Sequence, residues 1–435
     1  MCGAKYNLWF TSSQAIARRL SRPKRRGDAE GDPVKVLHVI SSVDPRGGGP
    51  VEGVFSSSEV WFRHGHERHI VSLDPPRAPW VATARAPTRA VGPDGALYRL
   101  ARAWIPWLRY GYTPRLVGWL RANAPNYDAV IVNGLWNYAS FGAWRALRRG
   151  QTPYFVFTHG MLDPWFNRAY PTKTFFKRIF WRLFERRVLR DAAGVLFTCE
   201  EERRLAGQSF QPYRAREFVV GYGTRDVSGD PEAQRAAFFA HAPGARGRRL
   251  VLFLSRIHEK KGVDLLVAAF ARSAVAHPDV DLVIAGPDQS GLRQELTAIA
   301  ERLGVADRIH WPGMLTGEAK WGAFRAADIF VLPSHQENFG IVVAEAMALG
   351  RPLLITDKVN IWREVEADGA GIVVKDDLEG VAEGLQRALA LTADERERMG
   401  AAARRSFENR YDLEKNALQL LDIIVSATQG ATARA

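Results

Sequence analysis

The chain has 435 residues, 46% hydrophobic and 25% charged, with 60 Lys+Arg against 47 Asp+Glu and a formal net charge of +13. That length exceeds one typical core and points to two domains with tails. Two cysteines, Cys2 and Cys199, exclude a disulfide framework or a zinc cluster and fit a reducing cytoplasm. No stretch approaches the roughly 18 apolar residues of a membrane span, and Arg18 and Arg19 interrupt the segment that a signal peptide would need.

The charge is uneven along the chain. Residues 1–250 carry 39 Lys+Arg against 20 Asp+Glu, and residues 251–435 carry 21 against 27, giving +19 and −6. A basic amino half suits an anionic substrate or an anionic membrane surface. Nothing in the sequence matches an RNA- or DNA-binding module, so nucleic acid is not an expected partner.

Residues 1–34, with Arg22-Pro23-Lys24-Arg25-Arg26-Gly27, are too charged and broken to pack and read as a flexible basic tail. Lys35 to Ser42 is a first strand. It opens into Asp44–Gly53, where successive glycines, Gly48 and Gly49 among them, let backbone approach a ligand before a helix begins near Val51. The loop is not a G-x-G-x-x-G fingerprint, which argues against a dehydrogenase; a plain turn is the alternative. Ala101 to Leu120 holds Trp104, Trp107, Tyr110, Tyr112 and Trp119 among arginines, a surface for membrane or acceptor. Asp128 to Trp136 is a further strand, and Tyr154–Phe157 the next, with His159 at its carboxyl end; Asp163, before Pro164, is a turn former.

In Lys173 to Arg190, Phe176, Ile179, Phe180, Leu183 and Phe184 recur at i, i+3, i+4, i+7 and i+8, one helix face. Lys173, Lys177, Arg178, Arg182, Arg186, Arg187 and Arg190 fill much of the remainder, as in a helix lying among lipid headgroups. Equally, the stripe packs on the amino-half sheet while the cations stay solvated. Val195–Glu200 and Phe218–Thr224 complete this half, and Asp226–Arg249 reads as linker and short helix.

Leu250–Leu254 is a continuous apolar run, hence a buried parallel strand. The loop after it carries Arg256 and Lys261 at the strand's carboxyl end, where open α/β sheets bind ligands and where two cations would neutralise a diphosphate. Val280–Ala285 follows; Asp279-Val280-Asp281, at its start, reads as a surface turn rather than a metal site. Arg308–Gly313 and the strand Asp328–Leu332 come next. After that strand, Glu337 and Glu345 lie eight residues apart around a helix start, about 80° on a helical wheel, so both carboxylates are expected to face one crevice. Unpaired N–H groups beside Phe339 and Gly340 would take phosphate. Leu353–Thr356 is another strand and Tyr411–Ala427 a last helix. The strand–helix alternation predicts a doubly wound α/β architecture.

The E-x7-E segment from Glu337 to Glu345, with the Arg256–Lys261 loop, resembles the bacterial family 4 (group 1) retaining glycosyltransferases of GT-B fold, closely over about residues 249–375. The resemblance implies two Rossmann-like domains facing a cleft: an acceptor-binding domain at 35–235, a nucleotide-sugar domain at 236–410, and a helix at 411–435 crossing back. It implies that Arg256 and Lys261 hold the donor diphosphate, Glu337 the sugar hydroxyls and Glu345 the ribose. Asn338, Phe339, Gly340 and Gly313 belong to the same donor site. Gly48 and Gly49 lie against its phosphates, and His159 touches the sugar, so His159, Arg256, Lys261 and Glu337 are the catalytic candidates. The resemblance implies that the leaving phosphate takes the acceptor's proton, so no enzyme nucleophile is sought, and no metal or cofactor is expected. The sequence departs from the family at Gly221-Tyr222-Gly223-Thr224, where an Asn-Gly pair is usual. The acceptor expected is a lipid-linked saccharide in exopolysaccharide or lipopolysaccharide assembly, at the cytoplasmic face of a membrane. The alternatives are a soluble acceptor, a non-catalytic partner subunit of the same fold, or a sugar epimerase.

Overall fold

The computed structural model describes residues 33–95, 104–105, 110–288 and 290–432. Nearly all of the expected basic tail, and part of the aromatic surface at 101–120, lie outside the described residues. From Val34 onward the chain forms one compact unit built on two sheets, every strand pair of which is parallel.

The amino lobe uses β1 (Lys35–Ile40), β2 (Glu67–Ser72), β3 (Thr88–Ala90), β4 (Ala129–Asn133), β5 (Tyr154–Phe157), β6 (Gly194–Phe197) and β7 (Glu217–Val219), in the order β3-β2-β1-β4-β5-β6-β7. The carboxyl lobe uses β8 (Arg249–Leu254), β9 (Val280–Ala285), β10 (Ile309–Gly313), β11 (Ile329–Leu332), β12 (Leu353–Thr356) and β13 (Gly371–Val374), ordered β10-β9-β8-β11-β12-β13. This is the pair of Rossmann-like sheets that the sequence predicts. Strand order reverses between β1 and β4 and again between β8 and β11, and such switch points open crevices at the strands' carboxyl ends. The continuous apolar runs arise because both faces of each sheet are covered.

Six helices matter for the site: α1 (Gly49–Arg63), α2 (Pro171–Phe180), α3 (Val263–Ala274), α4 (Gly317–Ala326), α5 (Ile341–Ala348) and α6 (Leu413–Thr432). The last returns to the amino lobe. Leu413, Ala417, Leu420 and Ile424 of α6 pack with Val36, Ile131 and Phe155 of the first sheet, and Trp61 Nε1 of α1 donates to the Ala417 carbonyl at 2.8 Å. The two chain crossings run side by side, since Thr224 donates to the Tyr411 carbonyl and pairs with Asp412.

The basic aromatic helix continues from α2 through a π turn, Trp181–Glu185, into Arg186–Arg190. The reading in which its apolar stripe covers the sheet is corrected here. Phe176 is 69% exposed and Leu183 51%, Ile179 is exposed as well, and only Phe180 and Phe184 are half-buried. Trp181, Val188 and Leu189 supply the inward packing. Glu185 is also buried there, accepting from Trp136 N and Ser140 Oγ at 3.0 Å, and burial pushes its carboxyl up to about 7. Asp281 is a second correction. It lies inside β9, is buried, and is bound by Arg248 at 2.9 Å and His310 Nε2 at 2.8 Å, so only Asp279 is a surface residue.

Gly262 splices the two carboxyl-lobe loops that border the crevice. Its φ is +61°, and a Cβ there would lie 2.1 Å from the Pro333 carbonyl oxygen. The left-handed conformation alone costs a residue with a side chain about 1–2 kcal/mol, and the clash must also part the loops. Gly262→Ala is therefore expected to lower stability in urea unfolding by more than about 2 kcal/mol. Gly291→Ala, equally left-handed at +77° but facing open space, should lose only the conformational part.

Candidate functional site

At the crevice between β8 and β11, Lys261 is 8% exposed and forms an ion pair with Glu337. Arg256, on the same loop, is exposed and has no ion-pair partner among the described residues. Glu337 is not helical, which corrects the 80° spacing argument. It bridges to Val359 and donates its N–H to the Lys358 carbonyl at 3.0 Å. The helix starts only at Ile341, capped by Gly340 at φ +74°, so its first N–H groups lack intrahelical acceptors. A Cβ on Gly340 would come 3.2 Å from the Glu337 side chain, so the glutamate lies over that helix start. Glu345, on α5, is buried; burial raises its carboxyl, while Lys320 of α4, at 2.6 Å, opposes that.

On the amino lobe, Gly48 takes φ +76° and a Cβ on Gly48 or Gly49 would meet nothing within 4 Å, so the loop before α1 presents bare backbone. His159 and Gly160 both have positive φ, +49° and +73°. The buried carboxylate of Glu202 enforces this turn. It accepts from Gly160 N at 2.6 Å and from Thr158 Oγ1, Thr198 N and Thr198 Oγ1 at 2.7 Å each. The His159 ring stacks on Phe157 with centroids 4.7 Å apart, and Nε2 lies 3.2 Å from Asn133 Oδ1. Asn133 Nδ2 faces His38 Nδ1 at 3.0 Å and two backbone carbonyls, which fixes the amide orientation. His159 Nε2 must then donate to Asn133, leaving Nδ1 with its lone pair. Burial pushes this imidazole down to about 4, so it is neutral at pH 7.

The two lobes meet across these loops. A Cβ on Gly160 would lie 2.6 Å from the Asn338 side chain, and Asn338 Nδ2 donates to Thr198 Oγ1 at 3.2 Å. Gln336 Nε2 donates to Asp163 Oδ2 at 3.0 Å, and Lys260 Nζ sits 4.2 Å from the Phe166 ring centroid. Tyr222 fills the position at which the sequence departs from the pattern of the family it resembles. Its hydroxyl donates to the Gly49 carbonyl at 2.8 Å and its ring meets Phe339 edge-on at 5.3 Å. A Cβ on Gly53 would overlap that hydroxyl, which explains the glycine inside α1. The seam thus brings together Gly49, His159, Asn338, Phe339 and Gly340, with Glu337 and Lys261 on the adjoining loops. Gly313 stands apart at the end of β10, with β9 between it and the Arg256–Lys261 loop.

Glu202, Lys320 and Asn133 went unnoticed in the sequence, and Tyr222 was marked only as a departure from the family pattern, without its contacts. Glu202 lies in the run Glu200-Glu201-Glu202, which reads as an acidic first turn, and Lys320 is one cation on a surface helix. Asn133 and Tyr222 had one signal, their position at or just past the carboxyl ends of β4 and β7.

Two family models match the chain: glycosyl transferases group 1 over residues 235–406, and a glycosyl transferase 4-like domain over residues 48–223. The chain is 31% identical over 196 residues to a D-inositol 3-phosphate glycosyltransferase of Nocardia farcinica, covering 44% of this chain and 43% of that protein. It is 34% identical over 203 residues to a phosphatidyl-myo-inositol mannosyltransferase of Mycolicibacterium smegmatis, covering 44% and 50%. The chain spans about half the length, or less, of these curated relatives. Among solved structures, Anabaena HepE in complex with UDP matches with TM-score 0.70 at 18% identity, over 90% of this chain and all of that one. A sucrose-phosphate synthase from Thermosynechococcus elongatus matches with TM-score 0.69 at 19% identity, over 91% and 100%. These likenesses establish the GT-B fold.

Two outcomes test the His159 turn. Glu202→Gln leaves an amide facing donors that need an acceptor, so urea unfolding should show a loss of about 3 kcal/mol, against under about 0.5 for the exposed control Glu200→Gln. Burial also holds His38 and His159 below their ordinary pKa. Their contribution to stability is complete above about pH 6.5 and is lost as pH falls toward the folded values, because only the unfolded chain takes up those protons. Stability measured from pH 7 to 4 should fall less steeply in His159→Gln.

Proposed function

Because the chain belongs to the family 4, group 1 glycosyltransferases, we propose that it transfers a sugar from a nucleotide diphosphate donor to an acceptor hydroxyl, with retention at the anomeric carbon. The observation that carries this reading is the partly buried Lys261–Glu337 pair at the β8–β11 crevice, with the start of α5 beside it and the His159 turn across the seam. A donor diphosphate gives Lys261 a second anionic partner, and Arg256 adds its charge from the same loop. Glu337, relieved of part of its pairing, accepts from the sugar hydroxyls. Glu345, paired with Lys320, accepts from the ribose hydroxyls.

The remaining candidates fill in the same donor site. Backbone N–H groups at Phe339 and Gly340, with the Asn338 amide, meet phosphate or sugar. Gly48 and Gly49 allow the phosphates close to the amino lobe, Gly313 borders the nucleobase, and His159 faces the sugar. The fixed cations and helix end stabilise the charge that builds on the leaving diphosphate. That group takes the acceptor's proton, so no enzyme nucleophile enters the scheme, and Arg256 and Lys261 supply the positive charge that a metal would otherwise bring. Rate then comes from positioning and from lobe closure that excludes water.

The acceptor we assign is a lipid-linked saccharide in exopolysaccharide or lipopolysaccharide assembly, reached by a cytoplasmic protein docked on the inner membrane face. No helix among the described residues is long and apolar enough to cross a membrane. Support comes from the exposed Phe175, Phe176, Ile179 and Leu183, flanked by exposed Lys173, Arg178, Arg182 and Arg187, a combination that suits anionic headgroups.

Two measurements test these assignments. In EDTA, a thermal-shift panel with UDP, GDP and ADP should show a rise with one nucleotide, lost in Glu345→Ala; at 100 times the dissociation constant the stabilisation is about 2.7 kcal/mol. No rise with any of them would favour a non-catalytic partner subunit. Flotation with anionic liposomes should carry the wild type upward and leave Phe176→Glu/Leu183→Glu behind. Wild type that stays at the bottom would favour a soluble acceptor.

A further inference from the structure

Beneath α1 the amino lobe holds a second polar site. A cavity of about 40 Å³ lies between α1, the sheet and α6, where His38, Ser57, Arg68, Asn133, His159 and Asn416 line it among apolar neighbours. Arg68, on β2, is fully buried. Its Nη1 donates to Ser57 Oγ and its guanidinium lies 3.8 Å from the Trp61 ring centroid, but Nε and Nη2 meet no acceptor. His38, on β1, is buried as well. Its Nδ1 accepts from Asn133, so its hydrogen is on Nε2, and that atom also meets no acceptor. Each of these three unmatched atoms is a donor, and none of the residues around the cavity is acidic.

A buried charge without a partner is expensive, and proteins ordinarily pair it or neutralise it. Arginine does not neutralise readily. Burial pulls this guanidinium down only to about 9, with no carboxylate acting on it, so it stays charged at pH 7 and its counter-charge must come from outside the chain. We infer that the cavity binds one small inorganic anion of about chloride's size, held by Nε and Nη2 of Arg68 and by Nε2 of His38. A water-sized sphere needs roughly 10–15 Å³, so this volume admits a halide with a water beside it and excludes a nucleotide, a sugar phosphate or a bulky organic acid. The bound anion would fix His38 and, through Asn133, the ring of His159. The inference stands independently of the sugar-transfer reading, because the three atoms that would hold the anion, on Arg68 and His38, have no part in donor binding; His159 is the lining residue that also belongs to the proposed donor site.

The test compares thermal melting of the full chain in sodium chloride and in sodium gluconate at equal ionic strength. Chloride should raise Tm by several degrees along a saturating curve, bromide should substitute for it, and gluconate, too large to enter, should not. Arg68→Met should lose the chloride response yet melt no lower than wild type in gluconate, since methionine fills the site without a charge. Should that variant not fold, His38→Phe removes one donor and should raise the half-saturating chloride concentration at least tenfold. Crystals grown in bromide should show an anomalous peak beside Arg68. Equal melting of wild type in the two salts, or bromide-grown crystals without that peak, would overturn the inference.

Discussion

Everything at the crevice depends on how closely two loops approach, Thr158-His159-Gly160 from the amino lobe and Gln336 to Gly340 from the other. The approach works because Gly160 has no side chain to collide with Asn338. It is held by a carboxylate, Glu202, whose four hydrogen bonds draw together the ends of β5 and β6 and keep His159 in a conformation rare for residues other than glycine. Thr198, bound to that same carboxylate, receives the Asn338 amide. One buried acceptor therefore sets both the local turn and the interlobe contact, and the switch points of two sheets come to face each other.

Charge is distributed around this seam in a particular way. Two lysine–glutamate pairs lie on the carboxyl lobe, Lys261 with Glu337 and Lys320 with Glu345; one partner of each, Lys261 and Glu345, is buried and the other half-buried. Buried ion pairs add little to stability and frequently subtract from it. Partly desolvated charge at a strand-order switch point is what the proposed donor site would use. The amino lobe differs, holding neutral histidines and an arginine whose partner lies outside the chain.

The sheets were legible because parallel strands buried on both faces write themselves as unbroken apolar runs, as in Leu250 to Leu254. The spacing of Glu337 and Glu345 was read with one helical geometry, but the first is extended and only the second helical. Asp281 was misread because its partners, Arg248 and His310, are 33 and 29 residues away, and no local pattern announces them. The basic helix was legible as amphipathic but not in its orientation. Trp181, Glu185 and Val188 claim its inner face, and the π turn among them is invisible to a constant 100° step. Glu202 shows the same limit in part, because two of its four hydrogen bonds go to Thr198 at i−4 but the two that hold the His159 turn reach Thr158 and Gly160, 44 and 42 residues away.

The most direct test of the donor site is calorimetric titration of the full chain with a nucleoside diphosphate and its monophosphate, repeated with Lys261→Met. If Arg256 and Lys261 hold the diphosphate, the diphosphate binds wild type at least tenfold more tightly than the monophosphate, and that difference shrinks in Lys261→Met. Equal affinity of the two nucleotides for wild type would contradict the account, because the cations at the β8–β11 crevice would then have no phosphate to hold.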